Sequence, residues 1–159
     1  MDEKRQLLRH TLATVAYRAT RALEGTPDSF GSFAGTGGRQ PVQLLAHMCD
    51  LFDWALSIAQ GSERWRNSET LAWPAAQKRF FESLGAFDEY LASDATIHGS
   101  PEGLFQGPIA DALTHIGQLA MMRRLAGSPG RGENFYVADI VAGEVDADQP
   151  AAVKPFKRS

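Results

Sequence analysis

The sequence predicts an all-α fold, a four-helix bundle with an irregular C-terminal tail. Three observations predict it. Apolar residues recur at spacings of three and four over segments of roughly 20 residues, the helical period. Helix punctuation frames those segments, with Pro41, Pro74 and Pro108 at starts and Gly25, Gly61 and Gly127 at stops. There is no run of strand-like segments.

The first helix is expected from Asp2 to Glu24. Leu8, Leu12, Val15, Ala19 and Ala22 fall on one side of it. Asp2 and Glu3 lie in its first turn, where the helix dipole favours anions. The glycine-rich GTPDSFGSFAGTGGRQ reads as a connector. Its GTGGRQ lacks the Lys-Ser/Thr that completes a phosphate loop. The second helix starts at Pro41, continues through VQLLAHMCDLFDWALSIAQ and stops at Gly61. A polar connector, GSERWRNSETLAW, leads to the third helix, which opens near Pro74 and runs through AAQKRFFESLGAFDEYLAS. After the loop DATIHGSPEGLFQG, Pro108 opens the fourth helix and Gly127 closes it.

Helices of this length span about 30 Å and pack as a bundle. Short connections favour antiparallel neighbours, and the longer first connector allows a crossover. The expected division is 1–127 for the bundle and 128–159 for a C-terminal extension. FYVADIV is apolar enough to lie on the bundle, and the DADQPAAVKPFKRS end is expected to be mobile.

The chain has 159 residues, 43% hydrophobic and 22% charged, with net charge -3, and so lacks the basic excess that nucleic-acid binding needs. No nucleic-acid partner is expected. The single cysteine, Cys49, forbids an intrachain disulfide and suits a reducing compartment. MDEKRQLLRH shows no secretory h-region, and no apolar run approaches the roughly 18 residues of a membrane span. A cytoplasmic protein without a membrane partner is expected.

The chemistry concentrates in DALTHIGQLAMMRRLAG. With Asp111 at zero, His115 lies about 40° away, and Gln118 and Met122 within about 20°. Apolar residues flank this stripe on both sides, so it is expected to face inward. On the second helix His47 sits amid Leu44, Leu51, Trp54 and Ile58. Asp111 and His115, at i and i+4, can reach one ion, with His47 arriving from the facing helix. Two His and one carboxylate leave open positions on a metal. A hydrogen-bonded Asp111–His115 pair with an unrelated His47 explains the same spacing.

Asp50, at the edge of the same face, is a candidate base or extra ligand; the alternative is a partly solvated neighbour. Gln118 is a candidate for orienting a ligand from behind, or else packs through its methylenes. Phe52 and Trp54 read as core. His10 points away from the core. Cys49 lies about 200° from His47 and is no nucleophile for this site.

The segment LLAHMCDLFDWAL and the HIGQ element of the last helix resemble the DinB-like/YfiT-like family of small four-helix-bundle metalloproteins. The resemblance covers roughly Met1 to Gly127. It implies a divalent metal, such as zinc, nickel, iron or manganese, at His47, Asp111 and His115. Many members carry His where this chain has Asp111, and the carboxylate leaves the site less positive by one charge, so that a bound water is polarised less. The family implies metal-dependent hydrolysis, or transfer using a low-molecular-weight thiol, on a small-molecule substrate. The alternative is a non-catalytic metal- or ligand-binding bundle. The small-residue face of Ala110, Gly117 and Ala120 allows a close helix contact, hence a homodimer.

Overall fold

A computed structural model describes residues 2–157; Arg158 and Ser159, the end of the expected extension, lie outside them, as does Met1. The fold is all-α. Its long helices are α1 (Glu3–Leu23), α2 (Pro41–Ala59), α3 (Trp73–Ala92) and a last rod in three parts. That rod comprises α4 (Pro101–Leu104), a π-helical turn (Phe105–Ile109) and α5 (Ala110–Leu125). Asp2 Oδ1 caps α1 by accepting from the Arg5 backbone N–H, as a short acidic N-cap should.

The last rod therefore begins earlier than the sequence predicts. Ser100, not Pro108, precedes its start, and its hydroxyl accepts from the Gly103 N–H. Pro108 lies inside the π turn. Proline cannot donate to an α-helical ladder, and a wider local turn accommodates that lost bond.

Leu8, Leu12, Val15, Ala19 and Ala22 of α1 are all buried, as their spacing requires. They meet Leu44, Met48 and Phe52 from α2, Phe80, Leu84 and Phe87 from α3, and Ile109, Ala112 and Leu119 from the last rod in one continuous core. Each helix packs on two others. α1 lies against α3 and α5, and α2 lies against the same two. Consecutive α1 and α2 thus sit on a diagonal, and residues 24–40 cross the end of the bundle between them. This crossing is tight at Gly31. A side-chain carbon there would fall 2.9 Å from Trp73 Cβ and 2.9 Å from Val42 Cγ1.

Cross-helix contacts set the directions. Arg9 pairs with Asp88 and Arg5 reaches the Ser93 carbonyl, so α1 and α3 run antiparallel. Lys4 pairs with Glu102, and Arg123 donates to the Arg21 carbonyl, so α1 and the last rod run parallel. The starts of α2 and α3 meet at Gly31, and Arg79 of α3 pairs with Asp53 of α2. These two helices therefore run parallel, where short connections favoured antiparallel neighbours. The reason is the connector, residues 60–72, which travels back along α2. Ser57 Oγ accepts from the Arg64 N–H, and farther back Asp50 accepts from the Ser68 N–H at 3.1 Å and from its hydroxyl at 2.5 Å.

The extension docks on α1. Glu133 is buried, accepting from Tyr17 Oη at 2.7 Å and Arg21 Nε at 2.8 Å. Arg21 also donates to the Pro150 carbonyl. The terminal segment doubles back, with Asn134 N–H on the Lys154 carbonyl and Phe156 N–H on the Gly132 carbonyl. No helix among the described residues is long and apolar enough to cross a membrane.

Asp50 is 6% exposed, and its removal strands the Ser68 donors. Asp50→Ala should cost about 2–3 kcal/mol in urea unfolding, whereas His10→Ala on the exposed face of α1 should stay within about 0.5 kcal/mol.

Candidate metal centre

The parallel run of α2 and α3 leaves α2 antiparallel to α5: Ala59 near the end of α2 accepts from His98, ahead of α4, and His47 near its start faces α5. His47 Nε2 is 3.5 Å from Asp111 Oδ2, and His115 Nε2 is 3.3 Å from Asp111 Oδ1. The two imidazoles stand edge to face, with ring centres 4.8 Å apart. One ligand atom from each of the three residues lies within 4.8 Å of the others.

These separations suit a metal. Bonds of about 2.1 Å at a tetrahedral angle put two ligand atoms roughly 3.4 Å apart. The two carboxylate–imidazole separations, each to a different oxygen, are close to that value, while the three-residue set spans up to 4.8 Å. The donors, two imidazoles and a carboxylate, are those zinc and the divalent first-row metals accept.

Gln118, one turn beyond His115, lies with Oε1 2.8 Å from His115 Nδ1. An amide oxygen only accepts, so this contact places a proton on Nδ1 and, in the neutral ring, turns the Nε2 lone pair toward Asp111. Nε2 is buried and has no hydrogen-bond partner. It nevertheless faces Asp111 Oδ1, also electron-rich, at 3.3 Å. Two acceptors facing each other repel unless a cation, a metal ion or a proton, stands between them; with a proton there, the contact is the Asp111–His115 pair.

The cluster sits at the rim of the bundle, not at its centre. The Asp111 side chain is 45% exposed, whereas those of His47 and His115 are 20% and 12% exposed. The apolar border that made the stripe look inward-facing is itself partly at the surface, with Met121 and Leu125 exposed. Burial lowers the proton affinity of His47, reinforced by the positive charge of Arg39 and by His115; these outweigh the attraction of Asp111. His47 is therefore held neutral at pH 7, as a ligand must be.

Two neighbours escaped the sequence reading. Trp65, a lone aromatic in the polar connector, packs 5.9 Å from the His47 ring and edge-on to Trp54. Arg39, the one cationic residue of the glycine-rich loop, lines a cavity of about 350 Å³ with Thr36, Gly38, His115, Gln118 and Met121. A cation beside a ligand histidine was a legible signal in the sequence only had the loop been placed against α5. Asp50 does not join the metal-ligand group. Ser68 occupies both of its oxygens, so it serves the connector and not the site. Cys49 is buried, its thiol pushed up to about 11 by desolvation, which keeps it protonated and unreactive. Phe52 is core, packed against Phe80.

Compared with protein-family models, curated proteins and solved structures, the chain matches none of them.

His47 should titrate below its ordinary 6.5 in metal-free protein, and Arg39→Ala should raise it, as read by imidazole NMR shifts. The unfolded chain takes up a proton at about 6.5 that the native site resists. The His47 contribution to stability is therefore complete above that pH and declines as pH falls through it, which denaturation at stepped pH measures.

Proposed function

We propose that this chain binds one divalent metal ion through His47 Nε2, the Asp111 carboxylate and His115 Nε2, and uses it on a small-molecule substrate. The buried, unpartnered Nε2 of His115 opposite a carboxylate carries this reading. The reaction class, hydrolysis or thiol-dependent transfer, rests on the resemblance of LLAHMCDLFDWAL and HIGQ to the DinB-like/YfiT-like proteins. A bound divalent ion supplies Lewis acidity, lowering the proton affinity of an oxygen or sulfur ligand.

The chain's own residues divide the remaining work. Gln118 fixes the tautomer and orientation of His115. Asp111 supplies the one negative charge and bridges the two imidazoles. Trp65 packs beside the His47 ring. The cavity beside His115 and Gln118 has room for a small molecule, and Arg39 lends it positive charge.

A second reading, metal or ligand binding without turnover, draws on the engagement of Asp50 by Ser68, which leaves no spare carboxylate in the cluster. Protein purified without a nickel column should hold about one equivalent of metal, and His47→Ala and Asp111→Ala should lose it. Unchanged content in those variants overturns the ligand assignment. Gln118→Leu should keep the metal but weaken its affinity roughly 10–100-fold in chelator competition. A substrate screen with and without thiols then separates the readings, since a stoichiometric ion without turnover favours the second.

A further inference from the structure

The opposite face of α5 carries a second cleft, unrelated to the metal ligands. Its inner part, about 400 Å³, is floored by Ala22, Leu113, Ile116 and Ala120 and ringed by Arg18, Arg21, Arg124 and Arg131. Its outer part, about 630 Å³, adds Phe156 and Lys157. Both parts share Arg124, Gly130, Arg131 and Gly132, so they form one continuous groove between α1, α5 and the extension. Among the described residues no acidic side chain lines either part, although the chain as a whole carries net charge -3.

The arginines are positioned without being neutralised. Arg18 lies flat on Phe135, its Cζ 3.4 Å from the ring centre, which leaves the N–H edges of the guanidinium free. Arg131 donates Nε–H to the Phe156 carbonyl at 3.1 Å, anchoring the side chain while sparing its terminal nitrogens. Arg124 forms no ion pair among the described residues. The nearby acids, Glu133 and Glu24, are both engaged by Arg21. Three guanidiniums without a direct ion pair among the described residues, over an apolar floor, match an anion with an apolar body. Guanidinium forks fit phosphate oxygens bidentately, and the inner part alone lies in the size range of small-molecule pockets.

We propose that this cleft binds a phosphorylated organic small molecule, its phosphate held by Arg18, Arg124 and Arg131 and its apolar part on Leu113, Ile116 and Ala120.

Isothermal titration of the full chain with 1-naphthyl phosphate, alongside inorganic phosphate, tests this. Naphthyl phosphate should bind roughly tenfold or more tightly than phosphate, because only it uses the apolar floor. Arg124→Ala/Arg131→Ala should weaken it by roughly tenfold or more. Arg124→Gln, which leaves the anchor of Arg131 intact, should weaken it by less, with an unchanged thermal midpoint. Arg39→Ala, at the metal centre, should bind it as the unsubstituted chain does. Absence of binding overturns the proposal, as does equal affinity for the two anions. So does a loss that follows Arg39→Ala in place of the cleft variants. Capture by phosphatidylcholine vesicles containing phosphatidic acid, without binding of the soluble probe, assigns the groove to a lipid headgroup and also overturns it. The titrations use protein stripped of metal with a chelator, because an open position on a divalent ion would itself take phosphate.

Discussion

The architecture depends on one extended stretch of chain held against one helix. Residues 60–72 leave the end of α2 and return to its beginning before α3 starts. α2 has 19 residues and is therefore about 28 Å long. The connector's 13 residues would fall short of that distance as a helix, at about 1.5 Å per residue, and cover it with room to spare in open chain, at up to about 3.3 Å per residue. Extended polar backbone needs partners, and Ser57 and the buried Asp50 provide them. The consequence propagates. α3 starts at the same end as α2, the two run parallel, and α5 runs antiparallel to α2. His47, early in α2, then faces Asp111 and His115, early in α5.

The cluster so formed is a problem in charge geometry. A carboxylate lies between two imidazole nitrogens at 3.3 and 3.5 Å. Gln118 turns the lone pair of His115 toward that carboxylate, and Arg39 with burial keeps His47 from protonating. Burial and Arg39 act against a proton on His47, and the three residues together form a group that could hold a metal ion. Partial exposure of Asp111 leaves a route to the cluster, and Trp65 packs beside His47.

α5 serves two faces, which explains a peculiarity of its sequence. Asp111, His115 and Gln118 look toward α2 and the crossing loop. Leu113, Gly117, Ala120 and Arg124 line the arginine cleft on the other side. A helix with a single buried stripe would have solvated residues there. Here the extension rises alongside it, pinned to α1 by Glu133 through Tyr17 and Arg21. The small residues Gly117 and Ala120 line this groove.

By itself the sequence determined the elements and the donors. Periodicity, capping residues and prolines define the helices because these are local properties of three or four residues at a time. The core stripe of α1 and the shared face of Asp111 and His115 follow from helix geometry, whereas their meeting with His47 depends on the helix directions that the connector sets. Three things were decided only in the tertiary structure. The earlier start of the last rod required a π turn to absorb Pro108. The parallel run of α2 and α3 came from Asp50 and Ser68, eighteen positions apart, so an apparent catalytic acid is a connector anchor. The roles of Arg39, Trp65 and Glu133 depend on loops lying against helices distant in sequence. Loops carry no period, so nothing local in the sequence states which helix they cover; that choice is made by packing and by where their polar groups find partners.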